Sequence, residues 1–259
     1  MIIILLIMFV PVLLFSQSIP DKEHMICYIF IGHSNMNGHC SVRDTNHYKG
    51  VWWWNDSIGF FCPNDNDLEK FNKESGSVIL PFLRAMSLRY PEYGFTGIKI
   101  ASSCAQAYHR VPGDSRYENL MNRIRKIKDR VTFGGIYLMF GFVESCERPA
   151  ADSLHRSIPA LIKNIRDSIG NPYLPSLVGR YEIMGDTNGW CQYKSNIGLV
   201  YDRLNCMESK DYFLKMCPIR YIPKERFCDS HHYDALGYEI CANDAAVIIQ
   251  INNFDRWNK

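Results

Sequence analysis

Four short, largely apolar stretches punctuate the chain. Met25-Ile26-Cys27-Tyr28-Ile29-Phe30-Ile31 ends at Gly32, and comparable runs recur at Gly97–Ala101, Gly135–Phe140 and Leu177–Ile183. A run of this length without polar alternation suits a strand buried on both faces, as in a parallel sheet covered by helices. Between the runs the period changes. Val78–Arg89 sets Ile79, Phe82, Leu83, Met86 and Leu88 mostly three and four residues apart, with Pro91 just beyond as a stop. Leu120–Val131 turns Leu120, Ile124 and Ile127 inward, and Asp152–Ile169 does the same with Leu154, Ile158, Leu161, Ile162 and Ile165. Ala235–Ile251 closes the chain as an apolar helix. Strands alternating with amphipathic helices predict a three-layer αβα sandwich around a mostly parallel sheet of about five strands.

Two long stretches carry no clear period, Asn37–Gly76 and Asp186–Arg226, both rich in Asn, Asp, Gly and aromatic residues. In open α/β sheets ligands bind beyond the carboxyl ends of the strands, so these stretches are expected to rim a site. Met1–Phe15 is almost wholly apolar, and small residues spaced like a cleavage site follow it at Ser16-Gln17-Ser18. Residues 1–18 therefore read as a secretion signal and 19–259 as one domain. An uncleaved anchor is the alternative, disfavoured because the run is shorter than the roughly 20 residues of a spanning helix.

Composition narrows the partners. The 29 basic and 27 acidic residues are dispersed along the 259-residue chain and leave a net charge of +2, which excludes a basic footprint for nucleic acid. Ten cysteines in a secreted chain are compatible with disulfides. Cys27, inside an apolar strand, is expected to be a buried free thiol. Cys206, Cys217, Cys228 and Cys241 lie in loop-rich sequence, where at least one bridge is expected.

Two motifs carry chemistry. Gly32-His33-Ser34-Asn35-Met36-Asn37-Gly38 follows the first buried strand, so Ser34 is expected on a strand-to-helix turn at the carboxyl edge of the sheet. Free N–H groups at the start of a helix there would favour negative charge on a substrate oxygen. Near the other end, Asp229 and His232 lie three residues apart in Asp229-Ser230-His231-His232. That spacing lets the carboxylate accept from one imidazole nitrogen and leaves the other to take a serine proton.

Together these motifs resemble the SGNH hydrolases, and most of all their carbohydrate-acetylesterase branch, the sialate O-acetylesterase-like and acetylxylan esterase-like proteins. That branch opens with Gly-Gln-Ser-Asn-Met-x-Gly, from which this chain differs at His33, and closes with Asp-x-x-His. The Trp-rich segment Val51-Trp52-Trp53-Trp54 and the helix beginning at Leu80-Pro81-Phe82 add to the likeness, which spans nearly all of the mature chain. The resemblance implies a flavodoxin-like sheet and removal of O-acetyl groups from a sugar or polysaccharide. It also implies Ser34 as nucleophile, His232 as base, Asp229 orienting it, and no cofactor or metal. It further implies an oxyanion hole from the backbone N–H groups of Ser34, Ser103 and Gly141.

Two motifs depart from the branch. Ser102-Ser103-Cys104 stands where it has Gly-Gly-Ser/Thr, and Phe140-Gly141-Phe142-Val143-Glu144-Ser145 where it has Gln-Gly-Glu or, more widely, Gly-x-Asn. Val143 cannot donate the side-chain hydrogen bond of that Asn, and losing one oxyanion donor typically costs about a hundred- to a thousandfold in turnover. Asn35, Glu144 and Ser145 are candidates to compensate. Asn35, Trp54, Tyr108, Glu144 and His231 are candidate substrate contacts, Trp54 as part of an aromatic sugar platform or as packing.

Other readings remain beside this one. One is a carbohydrate-binding protein on an esterase scaffold with a decayed oxyanion hole, and another is a lipid or thioester hydrolase of the same superfamily. A zinc site at Cys228, Asp229, His231 and His232 and a two-carboxylate glycosidase using Glu144 and Glu147 are weaker, since the serine motif already accounts for Asp229 and His232. The expected location is secreted or periplasmic, without stable membrane insertion after signal cleavage.

Overall fold

The computed structural model describes residues 18–38, 49–55, 59–61, 76–103, 106–180, 196–218, 222–229 and 232–257. The expected signal falls almost entirely outside them. Among the described residues no helix is long and apolar enough to cross a membrane.

Five parallel strands form the central sheet: β1 (Met25–Gly32), β4 (Gly94–Ala101), β5 (Thr132–Met139), β6 (Ser176–Val178) and β7 (Leu214–Met216), in the order β4-β1-β5-β6-β7. A small antiparallel pair, β2 (Trp53–Asn55) and β3 (Gly59–Phe61), lies apart from it. Counting the strands of the large sheet alone, the order is 2-1-3-4-5, the flavodoxin-like winding that the sequence implied.

The side-chain alternation of β1 divides the core. Met25, Cys27, Ile29 and Ile31 point into one layer with residues of α3 (Ser115–Ile127), α4 (Arg148–Ile169) and α5 (Ile197–Glu208). Ile26, Tyr28 and Phe30 point into the other, with residues of α2 (Ile79–Arg89) and α6 (Ala235–Ile251). Every residue of β1 is buried, which is why its sequence shows no polar alternation. The amphipathic faces of α3 and α4 are those expected, although α3 begins and ends earlier than its periodicity suggested. In α2 the expectation fails at Leu88, which is 71% exposed and points away from the sheet.

Four strands and helices lie in stretches that showed no period. The β2–β3 pair falls within Asn37–Gly76, and α5 and β7 fall within Asp186–Arg226. β7 is three residues long, too short to show a pattern, and owes its place to pairing with β6. The apolar run expected to continue to Ile183 forms a strand only to Val178, and residues 181–183 lie outside the described residues.

Cys27 is a buried free thiol, as expected, and burial pushes its thiol pKa up. Cys206, Cys217 and Cys241 are also free, so the bridge expected near the C-terminus does not link any of these three. Cys217 is buried in the core, and Cys241 packs partly buried against it, with burial raising its thiol to about 12. Cys228, the fourth, is not among these free thiols.

Candidate active site

The site begins where β1 ends. Gly32 brings the chain so close to β5 that a Cβ there would lie 2.6 Å from the carbonyl oxygen of Met139 and 3.0 Å from the Met36 Cβ. His33 then donates its N–H to Met139 O at 3.3 Å, and Ser34 opens α1 (Ser34–Asn37). This helix is a single turn closed by Gly38 at φ 92°, so the favourable field expected at its start is limited to local N–H groups. Ser34 is 7% exposed, and its Oγ makes no hydrogen bond to any described residue. Serine–base hydrogen bonds are often long in ligand-free hydrolases and tighten when substrate binds.

Asn35 joins this turn to the far end of the chain. Its Oδ1 accepts from the Tyr238 hydroxyl at 2.7 Å and from the Tyr233 N–H at 3.4 Å, and the side chains of both tyrosines are buried. Asn35 was a candidate substrate contact; at 1% exposed and holding these donors, it is instead a brace. The brace sets Ser34 and His232, each one residue away from a braced partner, at the same corner of the sheet.

His232 is held by a bidentate carboxylate. Asp229 Oδ2 lies 2.5 Å from His232 Nδ1, and Asp229 Oδ1 accepts the His232 N–H at 2.8 Å. The imidazole is 2% exposed and Asp229 45%. The sequence expected this pairing from a three-residue offset, and both hydrogen bonds form across that offset. A proton on Nδ1 faces the carboxylate, which leaves Nε2 as the basic nitrogen. His231 lies outside the described residues.

The loops after β4 and β5 supply the opposite side. Ser102 donates its N–H to Gly32 O at 3.2 Å, docking the β4 loop beside the Ser34 turn. Ser103, exposed and next in the chain, has no partner for its N–H among the described residues. Beyond β5, Gly141 takes φ 120°, which side chains rarely adopt, and a Cβ there would come within 2.9 Å of Val200 Cγ1.

Glu144 ties these loops together. It is fully buried, and its Oε2 accepts the Gly141 N–H at 2.7 Å while its Oε1 accepts the Ala107 N–H at 2.8 Å. Ala107 opens the 3-10 turn Ala107–His109 of the β4 loop, so one carboxylate clamps both loops. Burial raises its carboxyl pKa above the ordinary value, although both N–H donors pull the other way.

This clamp revises two expectations. Glu144 is a structural bridge and does not reach solvent to meet a substrate. The Gly141 N–H, expected in the oxyanion hole, is already given to Glu144. Ser145, the other candidate for compensation, donates its hydroxyl to Phe142 O at 2.7 Å. The Trp54 ring packs edge-on against Phe60 and beneath the Arg130 guanidinium, 5.3 Å away, which ties it to the turn leading into β5 and away from the carboxyl ends of the strands. It is packing. Tyr108 lies in the 3-10 turn, and its side chain is outside the described residues.

Sequence reading missed Arg110. Its side chain is 1% exposed, its Nη2 donates to Ser102 Oγ at 3.2 Å, and burial lowers its pKa. A signal was present, since Arg110 follows Tyr108-His109 in the same loop, but only the tertiary structure shows that it is buried.

No curated protein sequence matches the chain significantly. Among solved structures the fold is similar to that of a protein from Arabidopsis thaliana, with TM-score 0.67 and 15% identity over 90% of this chain and 99% of that one. It is also similar to NanS, with TM-score 0.66 and 11% identity over 92% of this chain and 100% of that one. XAC1771, a carbohydrate acetylesterase from Xanthomonas citri, follows at TM-score 0.55 and 10% identity, over 85% of this chain and 55% of that one. At these identities the likeness establishes the fold, the αβα arrangement that the sequence predicted. Residues 24–215 match the family described as carbohydrate esterase, sialic acid-specific acetylesterase, a match that takes in the Ser34 turn and stops before Asp229 and His232. This chain therefore belongs to that family of carbohydrate esterases and is a carboxylic ester hydrolase of the acetylesterase type.

Proposed function

We propose that the protein removes an O-acetyl group from a sugar hydroxyl through an acyl-enzyme on Ser34. Ser34 Oγ attacks the acetyl carbonyl while His232 Nε2 takes its proton. The tetrahedral intermediate collapses as the sugar oxygen leaves and receives that proton from His232. Water then attacks the acetyl-serine with the same histidine as base, releasing acetate and restoring Ser34. Asp229 holds the imidazole in the working tautomer and stabilises it when charged. The backbone N–H groups of Ser34 and Ser103 receive the oxyanion; Gly141 shapes the loop through its bond to Glu144.

The observation that carries this reading is the Asn35 brace, which sets the turn of the nucleophile against the segment holding the Asp229–His232 pair. Family membership supports the acetylated carbohydrate as substrate. Replacing Ser34 with Ala is expected to lower acetate release from an acetylated glycan or from nitrophenyl acetate by about 10⁴-fold or more. A fluorophosphonate probe is expected to label Ser34 in the native protein. Unchanged turnover in the Ser34→Ala variant would sink the mechanism. A secreted or periplasmic location goes with the reading of Met1–Phe15 and Ser16-Gln17-Ser18 as a secretion signal.

A further inference from the structure

Arg110 is an anomaly that the mechanism so far leaves unused. Its side chain is almost wholly removed from solvent, yet Nε and Nη1 have no hydrogen-bond partner among the described residues. The nearest carboxylate oxygen, Asp114 Oδ1, stands 3.7 Å from Nη1 and already caps α3 by accepting the N–H groups of Arg116 and Tyr117. Leaving a guanidinium this poorly compensated is costly, and a buried polar group without partners calls for a reason. Among the described residues the guanidinium's one hydrogen bond goes to Ser102 Oγ, on the loop whose next residue is Ser103. The backbone around it is also held, because Arg110 donates its N–H to Ala107 O and Ala107 is clamped by Glu144.

We propose that Arg110 is a positioning residue of the oxyanion hole: by holding Ser102 through its hydroxyl it fixes the Ser103 N–H, and it places a positive charge beside the loop where the tetrahedral intermediate gathers negative charge. This rests on the reading of Ser34 as nucleophile and Ser103 as donor. It accounts for how a loop with serines in place of the branch's paired glycines keeps its donor in register, and for how the site offsets Val143, which cannot donate. A preorganised charge near a developing oxyanion acts on the transition state more than on the bound ester.

The test compares Arg110→Met, Arg110→Lys and Ser102→Ala with the native protein. It reads kcat and KM for nitrophenyl acetate, inhibition by a small boronic acid that forms a tetrahedral adduct on the serine, and the thermal unfolding temperature. Arg110→Met is expected to lower kcat about 10- to 100-fold with KM changed less than about threefold. It should weaken the boronic acid by a similar factor. Lysine, which keeps the charge without the planar fork, is expected to recover part of that loss. Ser102→Ala removes only the hydroxyl that Arg110 holds and is expected to lower kcat by a smaller factor with the fold intact.

The proposal is overturned if boronic acid affinity stays native while kcat falls. It is equally overturned if kcat is native in both Arg110→Met and Ser102→Ala. Should the methionine variant fail to fold, Arg110→Lys and Ser102→Ala decide by the same two readouts. Ser34→Ala separately tests the underlying reading: if that variant still turns over, the Ser34 mechanism fails whatever the Arg110 variants do.

Discussion

The two sides of the site are built in different ways. On the nucleophile and base side, each element is local: Ser34 sits on a one-turn helix directly after β1, and Asp229 reaches His232 across three residues of the same loop. On the oxyanion side local contacts, such as the Gly141 N–H given to Glu144, are joined by contacts between distant loops. The β4 and β5 loops are joined by Glu144, 37 residues from Ala107, and the β4 loop is tied to the end of β1 by the docking of Ser102 on Gly32. A side made of short-range contacts tolerates sequence drift elsewhere as long as its motif survives. A side made of long-range clamps can change its motif if another group takes over the holding. The serines at 102 and 103 and the valine at 143 fall on that second side.

Three experiments would break or sharpen this contrast. Replacing Asp229 with Asn keeps the geometry but favours the wrong imidazole tautomer, and is expected to lower kcat by about a thousandfold without altering stability much. A fall of less than tenfold would show that the local pair does not govern the chemistry.

Glu144→Gln attacks the long-range side. An amide offers a single acceptor oxygen, so the Gly141 or the Ala107 N–H loses its partner in a buried place. Stability should fall by about 1–3 kcal/mol, read by denaturant unfolding at neutral pH. Turnover should fall by about 10- to 100-fold as the two loops part.

The same variant has a pH signature. Because burial holds the Glu144 carboxyl above its ordinary pKa, the folded protein binds this proton more tightly than the unfolded chain does. The native protein therefore loses stability as pH rises through the folded pKa, a loss that Gln cannot show. The stability gap between native and variant should narrow as pH rises from the acid side towards neutrality. A gap that widens would overturn the assignment of the shift to burial.

The smallest effect is expected from Asn35→Ala, which removes the acceptor shared by Tyr233 and Tyr238. Stability should fall by about 1–2 kcal/mol, and kcat by about tenfold as the His232 loop loosens. If fluorophosphonate labelling of Ser34 keeps its native rate, the brace does not align the nucleophile with its base.

How far the site could be read in advance follows the same division. The three-residue offset of Asp229 and His232 was enough to single out His232, because the offset itself creates the hydrogen bonds. Gly32 before Ser34 read as a turn, and the close approach to Met139 explains why the residue must be glycine. Gly141 was misassigned because a match in type cannot reveal that its N–H is already accepted by Glu144. The aromatic run at Trp54 suits a sugar platform or packing equally in the sequence, and only its contacts with Phe60 and Arg130 decide for packing. Asn35 was taken for a substrate contact since its partners, Tyr233 and Tyr238, lie about two hundred residues away. Arg110 went unremarked because burial of an arginine in a loop has no local signature.

The sequence by itself determined the layered α/β architecture, the Ser34 turn and the Asp229–His232 pair. Each of these depends on periodicity or on contacts within a few residues, which spacing alone records. Tertiary structure alone decided that the Ser34 turn and the His232 loop meet through Asn35, that Glu144 clamps two loops, and that Arg110 lies buried against Ser102. Those contacts exist only after the strands align in register and bring their carboxyl ends together, so no window of neighbouring residues contains them.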